Sequence, residues 1–191
     1  HEQTLEDSTR ILGTNHPDTL ISRNNLAGAY RDAGRLDDAI PLHEQTLEDS
    51  THILGTNHPD TLISRNNLAN AYQDAGRLDD AIPLHEQTLN DRTRILGPHH
   101  PSTLISRNNL ANAYRHAGRL NEAITLYEQT LNDRTRILGP HHPDTLTTRN
   151  NLASAYRAAG RFEDADKLFE TPSDSEEDEQ DGAEDLSLIH I

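Results

Sequence analysis

Along residues 36–54, the side chains sort sharply when placed at 100° per residue. Leu36, Ala39, Ile40, Leu42, His43, Leu47, Ile53 and Leu54 share one arc, and Asp37, Asp38, Glu44, Gln45, Glu48, Asp49 and His52 share the other. The pattern predicts an amphipathic helix ended by Gly55, with Pro41 near its first turn, where a missing N–H costs least. A second helix is predicted over 17–33. Pro17 suits its first position, Asp18 complements its dipole, and Gly34 caps its end. Its apolar arc holds Leu20, Leu26, Ala27, Ala29, Tyr30 and Ala33, and its other arc holds Ile21, Asn24, Asn25, Gly28, Arg31 and Asp32.

The same pair of helices recurs. HPDTL begins at His16, His58 and His142, and HPSTL begins at His100, a spacing of 42 residues each time. A period of that length is the mark of a solenoid. Units 16–57 and 58–99 differ only at Gly28/Asn70, Arg31/Gln73, Glu48/Asn90, Ser50/Arg92, His52/Arg94, Thr56/Pro98 and Asn57/His99. Paired asparagines are poor helix formers, yet RNNLA stands inside the first helix of every unit, at Arg23, Arg65, Arg107 and Arg149. Stacking the units turns these asparagines into a column.

The runs NLAxAY (Asn25 to Tyr30), AGRLDDAI (Ala33 to Ile40) and LGxxHPDTL (Leu54 to Leu62) resemble the tetratricopeptide repeat. The likeness is to its 42-residue form, found in kinesin light chains and in bacterial and fungal repeat proteins, and it covers residues 1 to about 170. It implies an all-α, right-handed superhelical solenoid of helical hairpins. The expected organisation is a partial unit 1–15, full units 16–57, 58–99 and 100–141, and a truncated capping unit 142–170, followed by a disordered acidic tail 171–191. One departure is the aromatic residue usually found early in the first helix, here replaced by Arg23, Arg65, Arg107 and Arg149. Two fates are open for this arginine: a stem packed between helices with its head on a carboxylate of the second helix, or a ligand contact.

In the family, the first helices line a concave groove that receives extended peptides or partner helices. Carried over by position, the groove presents Asn24, Asn66, Asn108 and Asn150, then Asn25, Asn67, Asn109 and Asn151. Gly28, Asn70, Asn112 and Ser154 follow, then Arg31, Gln73, Arg115 and Arg157. An amide both donates and accepts, so the column can hold a peptide backbone or can bond one repeat to the next. The arginines favour acidic or carboxylate groups. Position 32 varies as Asp74, His116 and Ala158, as selectivity would require and as drift on an exposed face would also produce.

Composition narrows the function classes. Apolar residues make up 32% of the chain, and there is no Cys, Met or Trp, so the core is expected to be thin and elongated. No apolar run approaches the ~20 residues of a membrane span. The net charge is −15, but residues 170–191 hold nine acids and no base, which leaves 23 acids against 17 bases before them. An acidic body with a single Lys does not suit nucleic acid. His43 and His85 fall on the buried arc, where Tyr127 and Phe169 stand in later units, so they read as packing residues. No phosphate loop, nucleophile elbow or acid/base pair is present, so neither catalysis, cofactor nor metal is expected.

The expected partners are therefore a protein or peptide, in the cytoplasm, with neither nucleic acid nor membrane. The alternative is a purely structural scaffold, or self-association through the N-terminal end. The chain lacks Met and opens on HEQTL, as at His43, so its natural start is expected upstream. The resemblance permits the sensor part of a larger bacterial signalling protein, with a nucleotide-binding domain in that upstream segment. The closing LSLIHI reads as a library artefact, and Ser173 and Ser175 as residues of a solvated tail.

Overall fold

The computed structural model describes residues 1–170, and the expectations about the tail, Ser173, Ser175 and LSLIHI lie outside them. Nine helices and no strand occur among the described residues: α1 (Glu2–Leu12), α2 (Pro17–Asp32), α3 (Leu36–Leu54), α4 (Pro59–Asp74), α5 (Leu78–Leu96), α6 (Pro101–His116), α7 (Leu120–Leu138), α8 (Pro143–Ala158) and α9 (Phe162–Lys167). Each helix packs on the next, in a right-handed superhelix of hairpins. Helices α2, α4, α6 and α8 also approach one another along the stack, whereas the backbones of α3, α5 and α7 stay farther apart. The even-numbered helices therefore line the inner curve. Among the described residues no helix is long and apolar enough to cross a membrane.

Each inner helix has the same two ends. At the start, the Nδ1 of His16, His58, His100 and His142 accepts the backbone N–H two residues on, at 3.1–3.2 Å. Histidine here does what Ser or Asp does at an N-cap, and the proline that follows needs no partner. At the far end of α2, Gly34 N donates to the Arg31 carbonyl at 2.9 Å and Arg35 N to the Tyr30 carbonyl at 2.8 Å. This paired closure requires the left-handed backbone that Gly34 supplies at φ 73°. α2 stops one residue before the predicted Ala33, which becomes its cap.

The outer helices depart from the wheel in three places. Pro41 and Pro83 lie inside α3 and α5, beyond the first turn, while Thr125 at the same position in α7 bonds its hydroxyl to the Asn121 carbonyl at 2.9 Å. Ile53 is 36% exposed, whereas Thr46 and Ser50 are buried. Thr46 stays buried because its hydroxyl bonds back to the Leu42 carbonyl at 2.6 Å. Phe169 is 48% exposed, unlike the fully buried Tyr127. The core is a string of small clusters, such as Ile40, Leu68 and Ala71, then Ile82, Leu110 and Ala113.

Polar links repeat with the same period. Tyr30, Tyr72, Tyr114 and Tyr156 each donate from Oη to the glutamate 28 residues earlier, at 2.6 Å. The guanidinium of Arg35, Arg77, Arg119 or Arg161 stacks on the same ring at 4.0–4.4 Å. Burial and the glutamate hydrogen bond push Tyr72, Tyr114 and Tyr156 up to about 12. These bridges tie the end of each inner helix to the outer helix before it.

Candidate functional site: the inner curve

The RNNLA arginine is structural. Arg23 pairs with Asp49, and Arg65 and Arg107 donate to Asp91 and Asp133 at 2.7 Å, always from an inner helix to the outer helix that follows. Burial works to raise Asp91, but the guanidiniums of Arg65 and Arg94 hold it below the usual carboxylate range. Of the two fates open to this arginine, the packed stem with a carboxylate partner is the one adopted at these three positions.

The asparagines differ in how they are bonded. Asn109 Nδ2 donates to Asn66 Oδ1 at 3.0 Å, and Asn151 Nδ2 to Asn108 Oδ1 at 3.5 Å, so the second amide of one repeat bonds the first amide of the repeat before. Asn66 and Asn108 are accordingly buried, at 9% and 8% exposure. Each bond uses one donor and one acceptor site of groups that have two of each. Asn24 instead accepts from His43 Nδ1 at 3.0 Å. No side-chain hydrogen bond ties Asn25 or Asn67 to another described residue; Asn25 and Asn150 are exposed, and Asn67 and Asn70 are half-buried.

The outer rows of the predicted groove are less open. Asn112 is half-buried, and its Oδ1 accepts the Tyr127 hydroxyl. Arg31 is held by Asp32 at 3.0 Å and Asp74 at 3.7 Å, and Arg157 by Asp166 at 3.4 Å. These two arginines are already matched by carboxylates of the chain. Arg115 bonds His116 at 3.1 Å and stands beside the Tyr127 hydroxyl, and its Nε is buried without a partner among the described residues; Gln73 Oε1 is buried in the same way. Burial, and then the Arg115 charge, lower the His116 imidazole from its ordinary value, while Asp74 opposes them.

A depression of about 320 Å³ on the inner curve brings Asn24, Asn25, Gly28, Arg31, His43 and Asn67 together. His43 and His85 are fully buried, and burial lowers both imidazoles to about 4. They are neutral packing groups at neutral pH. No group of three or more His, Asp or Glu side chains converges as a metal would need among the described residues.

The family profile of the tetratricopeptide repeat matches residues 1–49, 23–92, 60–134 and 107–171, so its four matches run through the whole stack. The chain belongs to the tetratricopeptide repeat family. Members of this family are generally protein-interaction or scaffold modules, and the fold is typically non-enzymatic. A crystal structure from Podosopora anserina, of a protein described as a kinesin light chain with nearly identical TPR-like repeats, is similar to this chain. Its TM-score is 0.76 at 35% identity, over 87% of this chain and 79% of that one. A second crystal structure of that protein gives 0.74 with the same identity and coverage. BtubC (BKLC) from P. vanneervenii gives 0.73 at 23% identity, over 92% of this chain and 72% of that one, a likeness of fold alone. No curated protein matches the chain.

The capping histidines and the tyrosine–glutamate bridges were not anticipated from the sequence. A fixed offset of 28 residues between each Glu and Tyr was the available signal for the bridges. The capping role of His16 had only its place before Pro17.

Proposed function

We propose that this tetratricopeptide array binds an extended peptide or partner helix along the inner curve, as the repeat part of a larger cytoplasmic signalling protein. Its building blocks are units 16–57, 58–99, 100–141 and 142–170. Asn25 and Asn67 hold the partner's backbone. Asn109 and Asn151, which each retain an acceptor oxygen and one amide hydrogen, continue the row. Arg115, which lacks a carboxylate partner, takes an acidic group of the ligand.

The observation that carries this reading is the shared depression at Asn24, Asn25 and Asn67 on the side where the inner helices meet. The test is selection of peptides from a random library on the array, repeated with an Asn25→Ala/Asn67→Ala variant. Because these two amides bond no other described side chain, the variant is expected to keep its helicity and to bind selected peptides at least tenfold more weakly. Undiminished binding overturns the backbone role. A library that returns no peptide from the folded array favours the scaffold alternative.

A further inference from the structure

One interface in the stack lacks a side chain that its neighbours have. In α5, Arg92 is 7% exposed, and its Nη1 lies 3.1 Å from the Ser102 carbonyl and 2.8 Å from Ser106 Oγ of α6. In α7, Arg134 is 5% exposed and repeats the arrangement, at 2.9 Å from the Asp144 carbonyl and 2.7 Å from Thr148 Oγ1 of α8. A 42-residue step back from Arg92 leads to Ser50, and from its two acceptors to Asp60 and Ser64. The acceptors are therefore retained between α3 and α4, and the guanidinium is absent.

The structure has not closed over the gap. Ser50 is 1% exposed, and its Oγ has no hydrogen-bond partner. A cavity of about 260 Å³ lies there, walled by Pro17, Leu20, Ile21, Leu54 and Ile63 and edged by Ser50, Asp60 and Ser64. Thr61 has turned its hydroxyl to the Ser50 carbonyl at 3.1 Å, whereas Thr103 bonds the Gly97 carbonyl at 2.8 Å. One repeat earlier, where serine also stands at this position, Ser8 Oγ meets Ser22 Oγ at 3.2 Å, so that gap is satisfied internally. The α3–α4 interface has no such closure.

We infer that this cavity is a binding site for a guanidinium group, the side chain of an arginine carried by the partner that lies on the inner curve. The apolar walls suit the methylene stem. The Asp60 carbonyl and Ser64 Oγ stand where the acceptors of Arg92 and Arg134 stand at their own interfaces, and Ser50 Oγ adds a third. The Asp60 carboxylate attracts the incoming positive charge. The volume is below the range of sites for drug-sized ligands and suits one side chain. Asn24 and Asn25 line both this cavity and the depression on the inner curve, so a chain held on the asparagine row can lower one residue into it. The identity of the donor as a partner protein rests on the groove reading above; the chemistry of the cavity does not.

The test titrates the full chain with N-acetyl-arginine amide, using N-acetyl-citrulline amide as the uncharged isostere, and follows backbone amide shifts. Arginine amide is expected to shift Ser50, Asp60 and Ser64 and to bind at least tenfold more tightly than the citrulline compound. Ser50→Arg fills the cavity as Arg92 fills its own and should abolish the response. Arg92→Ser should create a second responsive set at Ser102 and Ser106, which keeps the test decisive if Ser50→Arg misfolds. No shift in the parent chain, equal binding of citrulline, or an unchanged response in a folded Ser50→Arg variant overturns the assignment. A library peptide that binds the groove indifferently to Ser50→Arg sinks the cavity and keeps the groove. Arginine amide that binds while no peptide does has the opposite meaning.

Discussion

Replacing His85 by tyrosine should stabilise the array, and should do so more strongly in acid. His85 is fully buried, and neither of its ring nitrogens has a hydrogen-bond partner. Leaving a buried polar group unpartnered costs about 1–3 kcal/mol. The repeat itself shows a better solution at the equivalent Tyr127, which is equally buried and donates its hydroxyl to Asn112. Asn70 occupies the matching place for residue 85, and α4 differs from α6 only at Asp60/Ser102, Gln73/Arg115 and Asp74/His116, so the ring has room. At pH 7, His85→Tyr is expected to add about 1–3 kcal/mol.

A second contribution comes from protonation. Burial lowers the imidazole of His85 from 6.5 to about 4 in the fold. Below pH 6.5 the unfolded chain therefore takes up a proton that the folded chain refuses, and stability falls until the pH reaches the folded value. Between pH 7 and pH 5 that linkage amounts to about 2 kcal/mol. The tyrosine variant loses this part and keeps whatever the other histidines contribute, so the gap between variant and parent should widen by that amount. Urea unfolding at pH 7, 6 and 5 gives the gap directly, and an imidazole NMR titration gives the folded value independently. A gap that stays constant across this range, or a folded His85 that titrates near 6.5, refutes the reasoning.

Arg65→Ala should cost about 2–4 kcal/mol, because it leaves Asp91 half-buried with only the exposed Arg94 as partner; urea unfolding of the variant checks this. Leu104→Ala should cost about 2–5 kcal/mol where the side chain is 2% exposed, and Leu146→Ala at the same repeat position far less, since it is 39% exposed. Equal thermal shifts for the two would contradict the burial pattern. Gly76→Ala places a Cβ on a backbone at φ 72°, and should lower stability by about 1–2 kcal/mol as read by thermal melting, despite open space around it.

Much of the fold was legible because the 42-residue period, Pro17 and Gly34 mark both helix ends in local chemistry. The wheel placed Leu20, Ala27, Ile40 and His43 correctly on buried faces. It assigned Thr46 to neither arc, and Thr46 is buried because a hydroxyl that bonds its own helix carbonyl is apolar in effect. Ile53 stands near the helix end, where the next hairpin no longer covers it. At the inner curve, the row of asparagines was legible as a stripe, but its bonds were not. Asn66 meets Asn109 across a repeat boundary, and that contact depends on how closely α4 and α6 approach, a distance no periodicity encodes. The pairing of Arg31 was not legible either, because Asp74 belongs to the next repeat. The Ser50/Arg92 difference was visible in the alignment of units, but its meaning required the acceptors at Asp60 and Ser64.

The most direct test of the central claim is an amide shift map of the full array with one library-selected peptide. The account predicts shifts concentrated on α2, α4 and α6, strongest at Asn25 and Asn67, with the exposed positions of α3 and α5 such as Glu48 and Asn90 silent. Shifts confined to those outer helices, with Asn25 and Asn67 unmoved, would contradict it.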